Sequence, residues 1–221
     1  MLKSLKYQGH VLGTMFLTLA GAGAVGLLLC LIMFGKGDDS AMRIVAIVES
    51  MILIMGFAVQ MSYFAYYADI AISMGASRKH YFISAQIIKL ATAVLCLVEI
   101  LVIDFVQHKL LDNPQFFTNG EFIAVVFFVI LLLICAGESI GVICNRFGRI
   151  GMIVYMGVCM VLGAFVGFAF ATGTLNDSGI LYKITAKITE NYMVPILIML
   201  AVSACITAVD YVWSRKLTVK G

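Results

Sequence analysis

The chain predicts an all-helical membrane protein with six transmembrane helices, and three observations carry that reading. Hydrophobic residues make up 62% of the sequence and charged residues 12%, where soluble domains carry about a quarter charged. The apolar residues gather in stretches at 11–34, 44–68, 82–106, 121–144, 150–174 and 192–213. At ~1.5 Å per residue, about 22 residues reach ~33 Å, enough for a hydrocarbon core of ~30 Å. None of these stretches alternates as barrel strands do, so the backbone polar groups must be satisfied within helices. The intervening segments are too short for a soluble domain, so 1–221 reads as a single transmembrane domain.

Taken in order, Met1 to His10 carries Lys3 and Lys6 and is expected to lie among lipid headgroups as a short interfacial helix. The small residues Ala20 to Ala24 imitate a leader cleavage site, but the apolar run continues to Phe34, so a permanent span is expected. The second span ends in Tyr63, Phe64, Tyr66 and Tyr67, read as an aromatic belt at the membrane interface. A connector at 69–81 comes next, and then a third span with Lys89 and Glu99 in its interior. The fourth span contains Gly137, Glu138 and Gly141. Arg146, Gly148 and Arg149 then form a tight turn into the fifth, where Gly163, Gly167 and Ala171 recur every four residues. Such small-residue stripes let helices approach closely, within one subunit or across a dimer. Between Leu175 and Tyr192, Ile180, Leu181, Ile184 and Ile188 are spaced for a short amphipathic helix at the outer leaflet. Pro195 sits in the first turn of the last span, where a missing N–H costs little.

Lys and Arg in connectors draw their side to the cytoplasm. With the N-terminus inside, Lys3, Lys6, Arg78, Lys79, Arg146, Arg149, Arg215, Lys216 and Lys220 are internal. They outnumber the external Lys36, Arg43, Lys109, Lys183 and Lys187. Both termini are therefore expected in the cytoplasm of a cell-membrane protein. The net charge of +3 reflects this bias and gives no reason to expect nucleic acid. Cys30, Cys96, Cys135, Cys144, Cys159 and Cys205 all lie within spans, without a CxxC pair, and read as packing residues.

Catalytic patterns fail in context. Gly137-Glu138-Ser139-Ile140-Gly141 matches G-x-S-x-G, but that motif needs a strand-to-helix turn and a histidine base. Here it lies inside an apolar helix, and His10, His80 and His108 are at span ends or in connectors. There is no H-E-x-x-H, and Gly35 to Asp39 lacks the spacing of a phosphate-binding loop. A non-catalytic chain without a metal or cofactor of its own is expected. Ionisable groups inside spans are costly and mark partners or substrate paths, which singles out Lys89, Glu99 and Glu138. Lys89 and Glu138 each lie about six or seven residues from the inner end of their spans, ~10 Å deep, and are depth-matched for a salt bridge.

The connector Ser73-Met74-Gly75-Ala76-Ser77-Arg78-Lys79-His80-Tyr81-Phe82 reads as a rigid elbow: Asp69 begins a short helix, Gly75 breaks it, and Ser77 caps the next helix. Met-Gly-Ala-Ser-Arg-Lys succeeded by an aromatic pair resembles the inner-loop signature of permease subunits of bacterial ATP-binding cassette transporters. The topology is similar to the type-2 exporter permeases among them. The resemblance covers the whole chain in topology and about ten residues in motif. It implies that Ser73, Met74, Gly75, Ala76, Ser77, Arg78, Lys79, Tyr81 and Phe82 couple to a separate ATPase subunit carrying ATP and Mg. It also implies a second permease, identical or related, and export of an amphipathic or lipid-like substrate such as an antimicrobial peptide. Glu99 and Glu138 inherit nothing from it. An ion- or proton-coupled carrier and a non-transporting scaffold or immunity protein are the alternative readings.

Overall fold

A computed structural model of the chain describes residues 9, 10, 13, 14, 17, 21, 39–73, 75–110, 120–171 and 192–215. The side chains of 39–47, 107, 109–110, 149, 152, 154–156 and 158–171 lie outside that description. The described residues are helical apart from short turns. They form α1 (Asp39–Ser62), a π-helical turn (Tyr63–Tyr67), α2 (Ala68–Ser73), α3 (Arg78–Leu110), α4 (Gly120–Ala171) and α5 (Met193–Ser214). Four stretches are long and apolar enough to cross a membrane: Val48–Ser73, Arg78–Val106, Gly120–Gly148 and Met193–Ser214. These match the spans expected at 44–68, 82–106, 121–144 and 192–213. The backbone of 150–171 is helical, but the stripe of Gly163, Gly167 and Ala171 lies outside the described side chains. The expected outer segment from 175, most of the first span and most of the interfacial helix also lie outside the described residues.

The first arm of α4 is the hub, packing against α1 and its π turn, α3 and α5. Its approach to α1 depends on two missing side chains. A Cβ on Gly137 would sit 2.5 Å from the Phe57 carbonyl oxygen, and one on Gly141 would meet the Met61 carbonyl and lie 2.9 Å from Phe64 Cβ. Backbones this close exclude lipid and extend dispersion contact where no hydrophobic effect is available to drive association. The Gly137/Gly141 stripe thus packs helices within one subunit.

No glycine or proline interrupts 62–73, so the helix does not restart at Asp69 as expected. It runs through the π turn, whose flanking residues keep right-handed helical dihedrals, directly into α2. The extra residue in that turn changes which side chains face inward. Tyr63 and Phe64 are buried and Tyr66 is exposed, so the first two belong to the core and not to an interfacial belt. Phe64 packs edge-on to Tyr81 and tilted against Phe82.

The connector after α2 contracts to a compact turn. The Gly75 N–H donates to Ile72 O and the Ala76 N–H to Ala71 O, both at 3.0 Å, with Gly75 at φ 89°. This is a Schellman C-cap, in which glycine takes the left-handed position at little steric cost. Ser77 then caps α3: the His80 N–H donates to Ser77 Oγ at 3.3 Å. Gly148, at φ 60° and ψ −140°, breaks α4. Residues eight apart in a straight helix are ~12 Å apart, yet a Cβ on Gly151 would lie 2.9 Å from Ile143 O. The chain therefore folds back at the turn expected between Arg146 and Arg149.

The 75–77 elbow, the Gly148 turn and the end of α5 share one end of the bundle. Arg78 donates to Arg215 O at 3.3 Å, Asn145 to Asp69 at 3.0 Å, and the Arg146 guanidinium lies 5.9 Å from the Trp213 ring. The basic residues Arg78, Lys79, Arg146 and Arg215 are thereby gathered at that end. Large apolar side chains such as Val98, Val102, Phe105, Leu197 and Val212 are exposed along the outside, where a bilayer would solvate them.

Gly141→Val should lower the unfolding midpoint in detergent by the equivalent of about 1–3 kcal/mol, because the added carbons meet backbone that cannot rotate away. Gly120→Ala, where nothing lies within 4 Å, should leave the midpoint unchanged. Equal behaviour of the two variants would refute the close approach.

Candidate functional site

Gly137 to Gly141 spans just over one helical turn, and at about 100° per residue its side chains fan toward different neighbours. The two glycines face α1, Glu138 faces α3, and Ser139 faces α5. Glu138 Oε2 accepts from Lys89 Nζ at 2.8 Å, with both side chains buried. Gln86, one turn before Lys89 on the same face of α3, donates to Glu138 Oε1. Lys89 Nζ also donates to Thr207 Oγ1 at 2.9 Å, and the Ser139 hydroxyl donates to Asp210 Oδ2 at 2.7 Å. One carboxylate, one ammonium, an amide and a hydroxyl thus join three helices, and a second carboxylate lies one turn further along α5.

The salt bridge expected from matched depth is present. Glu99 is not part of it: it lies ten positions along α3 from Lys89, ~15 Å of helix rise away, and its buried Oε2 has no partner among the described residues. Ser139 lies in no catalytic dyad, since its hydroxyl is directed at a carboxylate and no histidine among the described residues bonds to it. The G-x-S-x-G pattern is a packing and clasping element. No group of three or more His, Cys, Asp or Glu side chains among the described residues could hold a metal ion.

Sequence reasoning passed over α5. Ser203, Thr207, Asp210 and Ser214 are spaced four, three and four apart, on one face of a helix, and all but the half-buried Thr207 are buried. That stripe was visible as a signal: small polar residues at helical spacing in an otherwise apolar span. Beside it, α3, α4 and α5 enclose an open groove of about 500 Å³ whose lining includes Gln86, Lys89, Ser203 and Thr207. At the end nearest the elbow it is lined by Phe82 and Tyr211, whose rings meet at 5.2 Å between centroids.

At the elbow the candidate residues divide by exposure. Ser73, Gly75, Ser77, Arg78 and Lys79 are exposed and Ala76 is half-buried, while Met74 lies outside the described residues. Tyr81 and Phe82 are buried beneath that tip. The Tyr81 hydroxyl donates to Tyr63 O in the π turn, and both rings stack into the core. They are the base on which the basic tip stands.

No protein-family model, curated protein or solved structure matches the chain.

Removing one partner of a buried pair leaves the other charge uncompensated, which costs about 3–5 kcal/mol. Lys89→Met should therefore sharply lower the unfolding midpoint in detergent, and adding Glu138→Gln should restore most of the loss. Strictly additive losses in that cycle would show that the two side chains do not interact.

Proposed function

We propose that this chain is the membrane-spanning permease subunit of an ATP-binding cassette exporter. In this reading it pairs with a second permease and with separate ATPase subunits that carry ATP and Mg. It moves an amphipathic or lipid-like substrate, antimicrobial peptides among the candidates, across the cell membrane. The basic end of the bundle faces the cytoplasm, where Lys and Arg are favoured, and both termini lie on that side.

The observation that carries the reading is the construction of the elbow. Its tip is exposed and cationic at Arg78 and Lys79, while its base is fixed by the Schellman turn, the Ser77 cap and the buried Tyr81 and Phe82. A push on a floppy loop would be absorbed locally. A push on this tip passes directly into α3, which carries Lys89 eleven residues further, ~16 Å along the same helix. ATP drives such a machine only if the ATPase grips one arrangement better than the other, and a rigid handle makes that differential grip possible.

A second reading has its own observation. Glu138 and Asp210 lie close to a single lysine, and buried groups of this kind occur in ion- and proton-coupled carriers. The two readings part at the requirement for an ATPase.

Gentle extraction of the tagged chain should recover a stoichiometric partner with a phosphate-binding loop and ATPase activity. Arg78→Glu combined with Lys79→Glu should reduce that recovery at least tenfold through charge reversal at the contact, with insertion and unfolding midpoint unchanged. A homomer without ATPase, transporting in response to a proton gradient, would replace this reading with the carrier.

A further inference from the structure

We propose that the groove between α3, α4 and α5 binds a single-chain amphiphile whose head is uncharged and hydrogen-bonding, of the monoacylglycerol type. The groove holds about 500 Å³, within the range of small-molecule sites, and its polarity is graded along its length. Phe82 and Tyr211 line the end nearest the elbow, Gln86, Lys89, Ser203 and Thr207 come next, and Phe128, Leu131 and Leu200 continue the lining toward the other end. From Thr207 to Leu200 the rise is ~10 Å, so a head at these polar residues can direct the first part of an extended chain along the apolar lining.

Ser203 is the observation that asks for a ligand. It is only 6% exposed, it lines the groove, and its Oγ has no hydrogen-bond partner among the described residues. Hydroxyls within helices ordinarily satisfy themselves on a carbonyl of the preceding turn. Others do so here: Ser62 donates to Ala58 O, Ser84 to Tyr81 O, Thr92 to Ile88 O and Ser214 to Tyr211 O, each at 2.8 Å. Ser203 does not, which leaves a donor and an acceptor free beside an apolar channel.

Charge selects the head. The ammonium of Lys89 is already matched by Glu138 at 2.8 Å, and Asp210 lies behind it on the far side of the clasp, against Ser139. An anionic head would meet a neutralised lysine backed by an additional carboxylate. A cationic head would meet the ammonium first, since Glu138 and Asp210 are buried and absent from the groove lining. A hydroxyl- or ester-bearing head can exchange hydrogen bonds with Ser203 and Gln86 without disturbing the pair. Under the exporter reading this ligand is the substrate class, and only that word rests on the reading; binding needs no ATPase.

The test uses the full chain in nanodiscs and a monoacylglycerol carrying a mid-chain diazirine, with adducts mapped by peptide mass spectrometry. Adducts should fall on groove residues of α3, α4 and α5. Unlabelled monoacylglycerol should compete at least tenfold better than the fatty acid or the alkylammonium of equal length. Ala204→Trp, which fills the groove from an exposed position away from the salt bridge, should abolish the adducts without changing the unfolding midpoint. Ser203→Ala should weaken competition about fivefold, the worth of one hydrogen bond. Adducts spread over Val98, Val102 and Val212 and indifferent to Ala204→Trp would mean general lipid contact and overturn the site. Competition by the fatty acid or alkylammonium as strong as by the neutral lipid, or an unaltered Ser203→Ala, would overturn the assigned head chemistry. Because the chain is assayed alone, failure here and failure of ATPase recovery are separate results.

Discussion

The close approach of α4 to α1 is the constraint on which the rest of the bundle depends. With hydrogen atoms alone at Gly137 and Gly141, the Phe57 and Met61 carbonyls can lie against the α4 backbone. That contact fixes both the depth and the rotation of α4, because a helix has one face per set of positions three and four apart. Once the glycines face α1, Glu138 must face α3 and Ser139 must face α5, about 100° and 200° around. The ion pair and the Ser139–Asp210 bond are consequences of that rotation. The same contact makes room for Phe64, whose Cβ lies where a side chain on Gly141 would begin, and so lets the π turn bring Tyr63 and Phe64 inward under the elbow.

Buried ion pairs are weak sources of net stability, since desolvation offsets much of the attraction. In hydrocarbon the balance is sharper still, because an unpaired charge has no water to recover. The Lys89–Glu138 pair therefore acts mainly as a selector of register. A slide of α3 by one turn would move Lys89 by ~5.4 Å, away from both Glu138 and Thr207, and strand two charges. Gln86 and Thr207 strengthen that selection by occupying one carboxylate oxygen and one lysine hydrogen.

Much of this was legible in the sequence, for identifiable reasons. Span positions derive from apolar length, which the bilayer dictates. Lys89 and Glu138 could be paired by counting residues from the inner ends, because helices convert sequence distance into depth linearly. Gly75 and Ser77 announced the elbow, since a left-handed position and an N-cap each favour few residue types. The π turn was not legible: Tyr63 to Tyr67 contains no residue that demands it, and a single inserted residue reverses which aromatics are core. Ser203, Thr207, Asp210 and Ser214 were passed over because each alone resembles an incidental polar residue, and only their joint 4-3-4 spacing marks a face. The G-x-S-x-G coincidence misleads in the opposite direction, since small residues four apart serve helix packing and nucleophile turns alike.

The elbow and the polar clasp also belong to one mechanical unit. Tyr81 and Phe82 lie at the start of α3, where Tyr81 is bonded to the π turn and Phe82 meets Tyr211 of α5. Gln86 and Lys89 come next on the same helix and reach α4 and α5. Displacing the tip by rotating α3 would therefore strain the aromatic base and the ion pair together, and the Phe82–Tyr211 contact that lines the groove would change in the same movement. Packed helices and paired charges favour discrete arrangements over continuous deformation. The geometry thus links an exposed basic tip at one end of the bundle to a buried ion pair ~16 Å away through a single helix. The link needs no flexible loop, and Tyr81 at its start and Glu138 at its end are both fully buried.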